Sequence, residues 1–248
     1  MEYADGEYVM FVDADDCVFS DYVEVYVKEA EEKNADLVIG GLVVKENNTE
    51  IKKMPRTGVY SKTEFVSLLC NEGKDIYGYA CNKLFRRSLI EEFSILFNEE
   101  MNSQEDLDFA LSFIRNITRV CCIDYCGYVY YYEPSVRLPQ FESVLGNQIK
   151  LFQIAEDTGA DTAVLVARFQ RMLYSTLYHA KSSAHIRKIS ELKGIDNLLC
   201  DVPNQRKEVN LTVKWFARRQ YQLIYRYFAC RHRFRKILCA MHMVRPVE

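Results

Sequence analysis

The chain has 248 residues, of which 49% are hydrophobic and 27% are charged, with only 10 Gly and 5 Pro. This composition is typical of a globular protein with a large core, and it excludes disordered, collagen-like and low-complexity classes. The net charge of −3 conceals an uneven distribution, because residues 1–124 have a balance of −12 and residues 125–248 have a balance of +9.

The first part of the chain alternates strand and helix patterns. The continuous apolar run 8–12 predicts a strand buried on both faces. Residues 21–34 have the periodicity of an amphipathic helix. A second strand is expected over 36–45, so these three elements are interpreted as a βαβ unit.

The next predicted elements are shorter. Residues 51–60 indicate another strand, and Ser61 with Glu64 forms a capping-box pattern that starts a helix. A short helix is expected over 88–93. A second capping pattern, Ser103 to Asp106, predicts the start of the next amphipathic helix.

The pattern then changes from strands to helices. Residues 119–132 are rich in aromatic and β-branched side chains and predict one or two strands. From Val144 onward the periodicity is helical, with breaks expected near 158–161, 182–185, 194 and 201–204. The sequence thus predicts an α/β region over 1–135, followed by an all-helical C-terminal region over 136–248.

Three carboxylates come directly after the first predicted strand, in the sequence Asp13-Ala-Asp15-Asp16. In open α/β sheets, ligands bind beyond the carboxyl ends of the strands. Carboxylates this close repel one another unless a cation or hydrogen-bond donors neutralise them, and their oxygen atoms suit Mg²⁺ or Mn²⁺. A solvated acidic turn that caps the following helix explains the motif about equally well.

Two further segments contain residues suited to chemistry. Glu105-Asp106 at a helix start could supply a general base, although acidic residues there also complement the helix dipole. Lys83, close to Arg86 and Arg87, could hold a phosphate group, although such a segment is also typical of a solvated basic surface. Taken alone, each segment is explained more simply by the structural alternative.

Together, these segments resemble the family 2 glycosyltransferases of GT-A fold. The sequence Gly6-Glu-Tyr-Val-Met-Phe-Val-Asp-Ala-Asp-Asp16 is similar to the centre of that family's pattern. Four later segments keep the family's order and approximate spacing. These segments are 36–41, 82–90, 97–106 with Phe109, and 128–132 with Ser135. The resemblance therefore covers residues 1–135.

The resemblance implies roles for the acidic residues. Asp13 and Asp15 would hold Mn²⁺ or Mg²⁺ together with the diphosphate of a nucleotide sugar, and Asp16 would support them or contact the donor sugar. Asp106 would be the catalytic base that deprotonates the acceptor hydroxyl. Glu105 would orient the acceptor or Asp106.

The resemblance also implies a fold and an activity. The fold would be a GT-A-like (Rossmann-like) mixed sheet. The activity would be an inverting, metal-dependent transfer from a nucleotide-diphosphate sugar to a glycan or lipid-linked acceptor, in surface polysaccharide synthesis. Lys83 is assigned to donor binding on the same basis. The expected location is the cytoplasm, with peripheral contact at the inner face of the cell membrane.

The resemblance begins inside the family pattern, because in the family further strands precede the segment that starts here at Gly6. The sequence therefore predicts an N-terminally truncated domain, whose mixed sheet lacks its N-terminal strands. The alternative to an enzyme is a catalytically inactive remnant that binds a membrane or a protein partner.

The C-terminal residues 205–248 contain 11 Lys and Arg but only two Glu, interleaved with large apolar side chains. This pattern is typical of a basic amphipathic helix on an anionic membrane surface. A helical layer that packs its aromatic side chains in the core explains the pattern equally well. No nucleic-acid motif accompanies the charge, so nucleic acid is not expected as a partner.

Overall fold

The structure is a computed structural model that describes residues 3–46, 49–72, 75–132, 141–200, 202–203 and 205–240. The chain divides into two compact units, Met1–Thr162 and Ala163–Glu248. The first unit is a mixed α/β structure, and the second is helical in the residues that are described. The predicted α/β fold class is confirmed.

The strands of the first unit form two mixed sheets. In chain order they are Tyr8–Met10 (β1), Cys17–Val18 (β2), Leu37–Ile39 (β3), Leu42–Glu46 (β4), Thr49–Lys53 (β5), Gly58–Ser61 (β6), Lys83–Arg86 (β7), Arg119–Cys122 (β8) and Tyr128–Tyr131 (β9). One sheet has the order β1-β7-β3-β8-β6, and the other has the order β2-β9-β4-β5.

In the first unit, helices pack against the five-stranded sheet, and in the second unit helices make up most of the described structure. The first unit contains Tyr22–Lys33 (α1), Lys62–Glu72 (α2), Arg87–Glu92 (α3), Glu105–Ile114 (α4) and Phe141–Thr158 (α5). The second unit contains Ala163–Tyr178 (α6), Ser183–Ile189 (α7), Lys207–Ala217 (α8) and Tyr221–Ala240 (α9). In the part of the chain that the structure describes, none of these helices is both long and apolar enough to cross a bilayer.

The first predicted strand is shorter and less buried than the sequence indicates. β1 is the first strand in the order of its sheet and pairs with β7 in antiparallel fashion. Val9 is buried, but Val12 lies beyond the strand and is 51% exposed. The prediction of burial on both faces is therefore wrong, because an apolar run does not reveal the position of a strand within a sheet.

The predicted strand 36–45 is two strands that belong to different sheets. The chain changes sheet at Gly40 and Gly41, whose N–H groups donate to the Asn82 and Tyr125 carbonyls at 3.1 and 2.7 Å. A Cβ atom at Gly40 would lie 2.1 Å from the Tyr26 hydroxyl oxygen, so this close crossing requires glycine. The two strands of the predicted βαβ unit are not neighbours in the sheet, because the antiparallel strand β7 lies between β1 and β3.

The capping box at the start of α2 is confirmed. The Ser61 N–H donates to the Glu64 carboxylate at 2.8 Å, and the Glu64 N–H donates to the Ser61 hydroxyl at 3.4 Å. Helix α5 packs against α2 and α4, and Lys150 on α5 pairs with Asp108 on α4 at 2.6 Å. This helix therefore lies in the sheet-containing unit, whereas the sequence pattern grouped it with the helical region.

Candidate active site

The two acidic motifs of the sequence come together in the structure. The pKa of Asp13, in the turn after β1, is raised by partial burial and by the negative charges of Asp106, Asp16, Asp15 and Glu105. Among these charges Asp106 has the largest effect. The carboxyl end of β1 and the first turn of α4 thus share one electrostatic environment, although they are about 90 residues apart in the chain.

An aromatic cluster joins these two elements. The Phe11 ring, two residues before Asp13, makes edge contacts with the rings of Phe97 and Phe109 at centroid distances of 5.2 and 5.4 Å. Phe97 stacks on Phe109 at 4.4 Å. Because Phe109 lies on α4 one turn after Asp106, this packing holds the base candidate beside the acidic turn.

Tyr128 on β9 organises the acidic turn itself. Its hydroxyl donates to the Asp16 carboxylate at 2.7 Å and accepts from the Asp13 N–H at 3.1 Å. The second carboxylate oxygen of Asp16 accepts from the Tyr131 N–H at 2.9 Å. Both oxygens of Asp16 are therefore occupied by the protein, whereas Asp13 and Asp15 are exposed.

Asp106 sits at the start of α4 in a half-buried position. Its carboxylate accepts a hydrogen bond from the Ala80 N–H at 2.9 Å. Burial and the charge of Glu105 raise the pKa of Asp106, while this hydrogen bond and the charge of Lys83 oppose the increase. A carboxylate with a raised pKa accepts a proton more readily, as general-base catalysis requires.

The helix predicted after Ser103 is present, but Ser103 is not its N-cap residue. Helix α4 begins at Glu105, with Gln104 as its N-cap in a left-handed conformation (φ 64°) and no side-chain capping bond. The Oε2 atom of Glu105 is buried without a hydrogen-bond partner among the described residues. The hydrogen-bonding capacity of this oxygen is therefore unused among the described residues, which is uncommon for a buried carboxylate.

Lys83, which the sequence predicts to bind the donor, is close enough to Asp106 to affect its pKa but is not exposed. Its side chain is fully buried, and its ammonium group donates to the Asn82 side chain at 2.8 Å and to the carbonyls of Ile76 and Tyr79. In this position the cation is inaccessible to a diphosphate. The lysine is buried because its neighbours Leu84 and Phe85 continue a strand that lies between β1 and β3.

Two site residues were missed by reasoning from the sequence. Tyr128 belongs to a segment that was quoted only for its aromatic pattern, and Ala80 has no side chain that could reveal its role. The tyrosine-rich segment 128–132 is the available signal for Tyr128. The role of the Ala80 N–H depends on backbone geometry that no sequence pattern reports.

The acidic site has the donor chemistry for a divalent cation. Asp13 and Asp15 offer exposed carboxylate oxygens, and the repulsion that raises the pKa of Asp13 would be relieved by a cation. Mg²⁺ is usually held by one or two carboxylates together with substrate phosphates. Among the residues that the structure describes, no group of three His, Cys, Asp or Glu is arranged to hold a metal ion.

Comparisons of sequence identify the relatives of this chain. EpsJ of Bacillus subtilis, described as an uncharacterized glycosyltransferase, is 32% identical over 137 residues, which are 53% of this chain and 40% of that protein. TarS of Staphylococcus aureus, a poly(ribitol-phosphate) β-N-acetylglucosaminyltransferase, is 26% identical over 52% of this chain and 22% of its own length. The chain thus spans less than half the length of these relatives.

Solved structures share the fold. The crystal structure of S. aureus TarS 1–349 in complex with UDP matches 94% of this chain and 68% of that chain, with a TM-score of 0.61 and 16% identity. The corresponding complex with UDP-GlcNAc matches with a TM-score of 0.57. The GT-A-like fold that the resemblance implied is therefore confirmed.

The family assignment rests on the segment that carries the acidic turn and β7. The model of the family described as "Glycosyl transferase family 2" matches residues 1–94. This match agrees with the named glycosyltransferase relatives and with the shared fold. Residues 1–94 of this chain thus match the model of glycosyl transferase family 2, and the relatives of the chain are named glycosyltransferases.

Proposed function

We propose that this chain transfers a sugar from a nucleotide-diphosphate donor to a hydroxyl of a glycan or lipid-linked acceptor, in surface polysaccharide synthesis. The observation that carries the proposal is the meeting of Asp13, Asp15 and Asp16 with Glu105 and Asp106 at one end of β1. The names of the relatives and the UDP-GlcNAc complex of TarS support the same class of donor.

The exposed carboxylates of Asp13 and Asp15 are the proposed ligands of Mn²⁺ or Mg²⁺. A cation bound there would offset the negative charge of the donor diphosphate. Asp16 keeps the turn in place through Tyr128 and the Tyr131 N–H, so it acts on the donor site by positioning its neighbours. The proposed donor site thus contains the two accessible carboxylates of Asp13 and Asp15, on a turn that the Asp16 carboxylate stabilises.

Asp106 is the proposed catalytic base. Its carboxylate removes the proton from the acceptor hydroxyl while the hydroxyl oxygen attacks the anomeric carbon of the donor sugar. The bond between that carbon and the diphosphate oxygen breaks, and the nucleoside diphosphate leaves with the bonding electron pair. A single displacement inverts the configuration at the anomeric carbon. Glu105, adjacent to the base, orients the acceptor or Asp106.

We expect the purified chain to release nucleoside diphosphate from a labelled nucleotide sugar when Mn²⁺ or Mg²⁺ and acceptor are present. Asp15→Asn should lose the metal-dependent part of the rate, because the ion contributes several kcal/mol to stabilising the leaving charge. The measurement is a coupled assay of nucleoside diphosphate release over a panel of UDP, GDP and dTDP sugars. Asp124→Asn, another exposed aspartate, is the matched control.

The alternative proposal is a non-catalytic binding module. It would be supported if the folded chain bound a nucleotide sugar or a membrane without releasing nucleoside diphosphate under any metal condition. Metal-independent release that is unchanged in Asp15→Asn would instead contradict the assignment of Asp13 and Asp15 as metal ligands. The assay thus separates the enzyme from the binding module.

We also propose that α9 contacts the inner, anionic face of the cell membrane, which would place the protein peripherally in the cytoplasm. Leu223 and Phe234 are 43% and 64% exposed on this helix. Arg226 and Arg233 are exposed at spacings that place them on the same face. Exposed apolar side chains beside cations are typical of helices at anionic interfaces.

Replacing Arg226 and Arg233 together by Gln should weaken binding to vesicles that contain phosphatidylglycerol. Each cation near such a surface contributes about 1 kcal/mol, so the double variant should bind roughly 30-fold more weakly. Vesicle sedimentation measures the effect, and Arg171→Gln, exposed on α6, is the control. Salt-dependent binding to nucleic acid without vesicle binding would contradict the proposal.

A further inference from the structure

The mechanism proposed above leaves one buried charge without a role. Lys83 is fully buried, and the partners of its ammonium group are neutral: the Asn82 side-chain oxygen and the carbonyls of Ile76 and Tyr79. Burying an ammonium ion costs several kcal/mol unless its surroundings compensate. A cation kept fully buried at the start of an inner strand at this cost suggests a function beyond packing.

The bonds of Lys83 all lead to the segment that precedes β7. The Asn82 amide donates to the carbonyls of Gly40 and Ile76 at 2.7 and 3.1 Å, and the Ile76 carbonyl also accepts from Lys83 at 3.3 Å. The side chains of Asn82 and Lys83 therefore stabilise this segment by hydrogen bonds to its backbone. Asn82 also connects the segment to Gly40, at which the chain changes sheet.

The Tyr79 carbonyl is the most informative of these partners. It accepts a hydrogen bond from the Lys83 ammonium, and it belongs to the same peptide unit as the Ala80 N–H. Because the peptide unit is planar, its carbonyl and N–H point in opposite directions. Lys83 therefore fixes the direction of the Ala80 N–H, which donates to the Asp106 carboxylate at 2.9 Å.

We infer that Lys83 is a positioning residue for Asp106: it holds the Tyr79–Ala80 peptide unit so that this unit binds the ionised carboxylate, and it does not bind the donor. The inference rests on the proposed function, because Asp106 matters as a base only if the chain transfers sugar. A cation, an oriented peptide and a carboxylate in a row polarise one another in the same sense, which strengthens both hydrogen bonds.

Other ionisable groups around this row bear on its charge. Glu105 and Asp13 lie close enough to Asp106 to interact electrostatically, and Cys81 and Cys122 interact with Lys83. Burial raises the pKa of each thiol to about 12, so both are neutral at neutral pH. Among the described groups that affect Asp106, Lys83 is the cation whose charge opposes its protonation.

Replacing Lys83 by Met should therefore act on Asp106. The variant keeps an unbranched side chain that is one atom shorter and removes the charge and the donors, so the Ala80 N–H is no longer directed at the carboxylate. We expect the titration midpoint of Asp106 to rise by about one unit or more, since an opposite charge has been lost. We expect hydrogen exchange at the Ala80 amide to accelerate at least about tenfold.

The experiment compares wild type, Lys83→Met and Lys53→Met. Lys53 is a matched control because it contacts the same segment through the Tyr79 hydroxyl at 3.1 Å and the Asp75 carboxylate at 3.7 Å, and not through the backbone. Carboxyl-carbon NMR titration follows Asp106, and amide exchange follows Ala80. As the pH is lowered, the rate of nucleoside diphosphate release should begin to fall at a higher pH in Lys83→Met than in wild type. The donor KM should stay unchanged.

The outcomes separate this inference from the proposed function. If wild type releases no nucleoside diphosphate, the function fails, yet the NMR titration and the exchange rate still test the role of Lys83. Unchanged Asp106 and Ala80 signals in Lys83→Met would overturn the inference, and so would an increase in donor KM alone. If Lys83→Met does not fold, the wild-type ammonium signal decides, because rapid exchange with solvent would exclude the bonds to Tyr79 and Ile76.

Discussion

Asp106→Asn should reduce sugar transfer by about 10²- to 10⁴-fold, which is the usual contribution of a positioned general base. The amide keeps the shape of the carboxylate and can still accept the hydrogen bond from the Ala80 N–H, so we expect the fold to be retained. It cannot remove the proton from an acceptor hydroxyl. A rate assay of nucleoside diphosphate release at saturating donor and acceptor measures the loss.

The pH dependence of the wild-type rate provides an independent check on this base. Burial and the charge of Glu105 raise the pKa of Asp106, so the carboxylate becomes protonated at a higher pH than an ordinary aspartate. Because only the ionised form accepts a proton, the rate should fall as the pH decreases through this raised value. This decrease in rate at low pH should be absent from the residual activity of Asp106→Asn.

Asp108→Asn is the matched control on the same helix. Asp108 pairs with Lys150 on α5, so its loss affects the packing of two helices and not the acidic site. We expect its transfer rate to stay close to that of wild type. Equal activity in Asp106→Asn and Asp108→Asn would contradict the assignment of Asp106 as the base, and would direct attention to Glu105.

The local elements could be predicted well from the sequence, because each depends on nearby residues. The capping box of Ser61 and Glu64 places the start of α2 correctly, since both partners lie within one turn. The helix break expected over 158–161 coincides with the end of α5, where Gly159 has a left-handed conformation (φ 71°). Both features arise from backbone chemistry that a few residues determine.

The arrangement of the strands could not be predicted in the same way. The run 36–45 has continuous β-type character, yet its two halves join different sheets at Gly40. The strand β7, for which the sequence pattern gives no prediction, lies between β1 and β3. Strand order depends on contacts between residues far apart in the chain, and local hydrophobic patterns do not encode it.

For the candidate site, the resemblance predicts which acidic residues take part, but it does not predict the surroundings of the lysine. The structure brings Asp13 near Asp106, as a shared site requires. Lys83 carries a charge that predicts exposure, and yet it is fully buried among backbone carbonyls. Its position follows from the strand that contains it, so its role is apparent only once the fold is known.

Phe109→Ala should lower the free energy of unfolding of the first unit by about 3–5 kcal/mol, the usual cost of truncating a buried phenylalanine. Phe109 is fully buried, and its ring contacts those of Phe11, Phe85 and Phe97. Removing it leaves a cavity in the cluster that joins the acidic turn to α4. Hydrogen exchange at the Val38 amide, in the buried strand β3, measures the stability of this unit.

Leu96→Ala is the control, because Leu96 is next to Phe97 in the chain but 68% exposed, and we expect a change within about 0.5 kcal/mol. Phe109→Leu should fall between the two, since it fills much of the cavity but loses the edge contacts, which contribute about 0.5–1.5 kcal/mol. If the cluster also positions Asp106, transfer by folded Phe109→Leu should fall more than transfer by Leu96→Ala. Equal stability of Phe109→Ala and Leu96→Ala would show that the cluster does not hold α4 against β1.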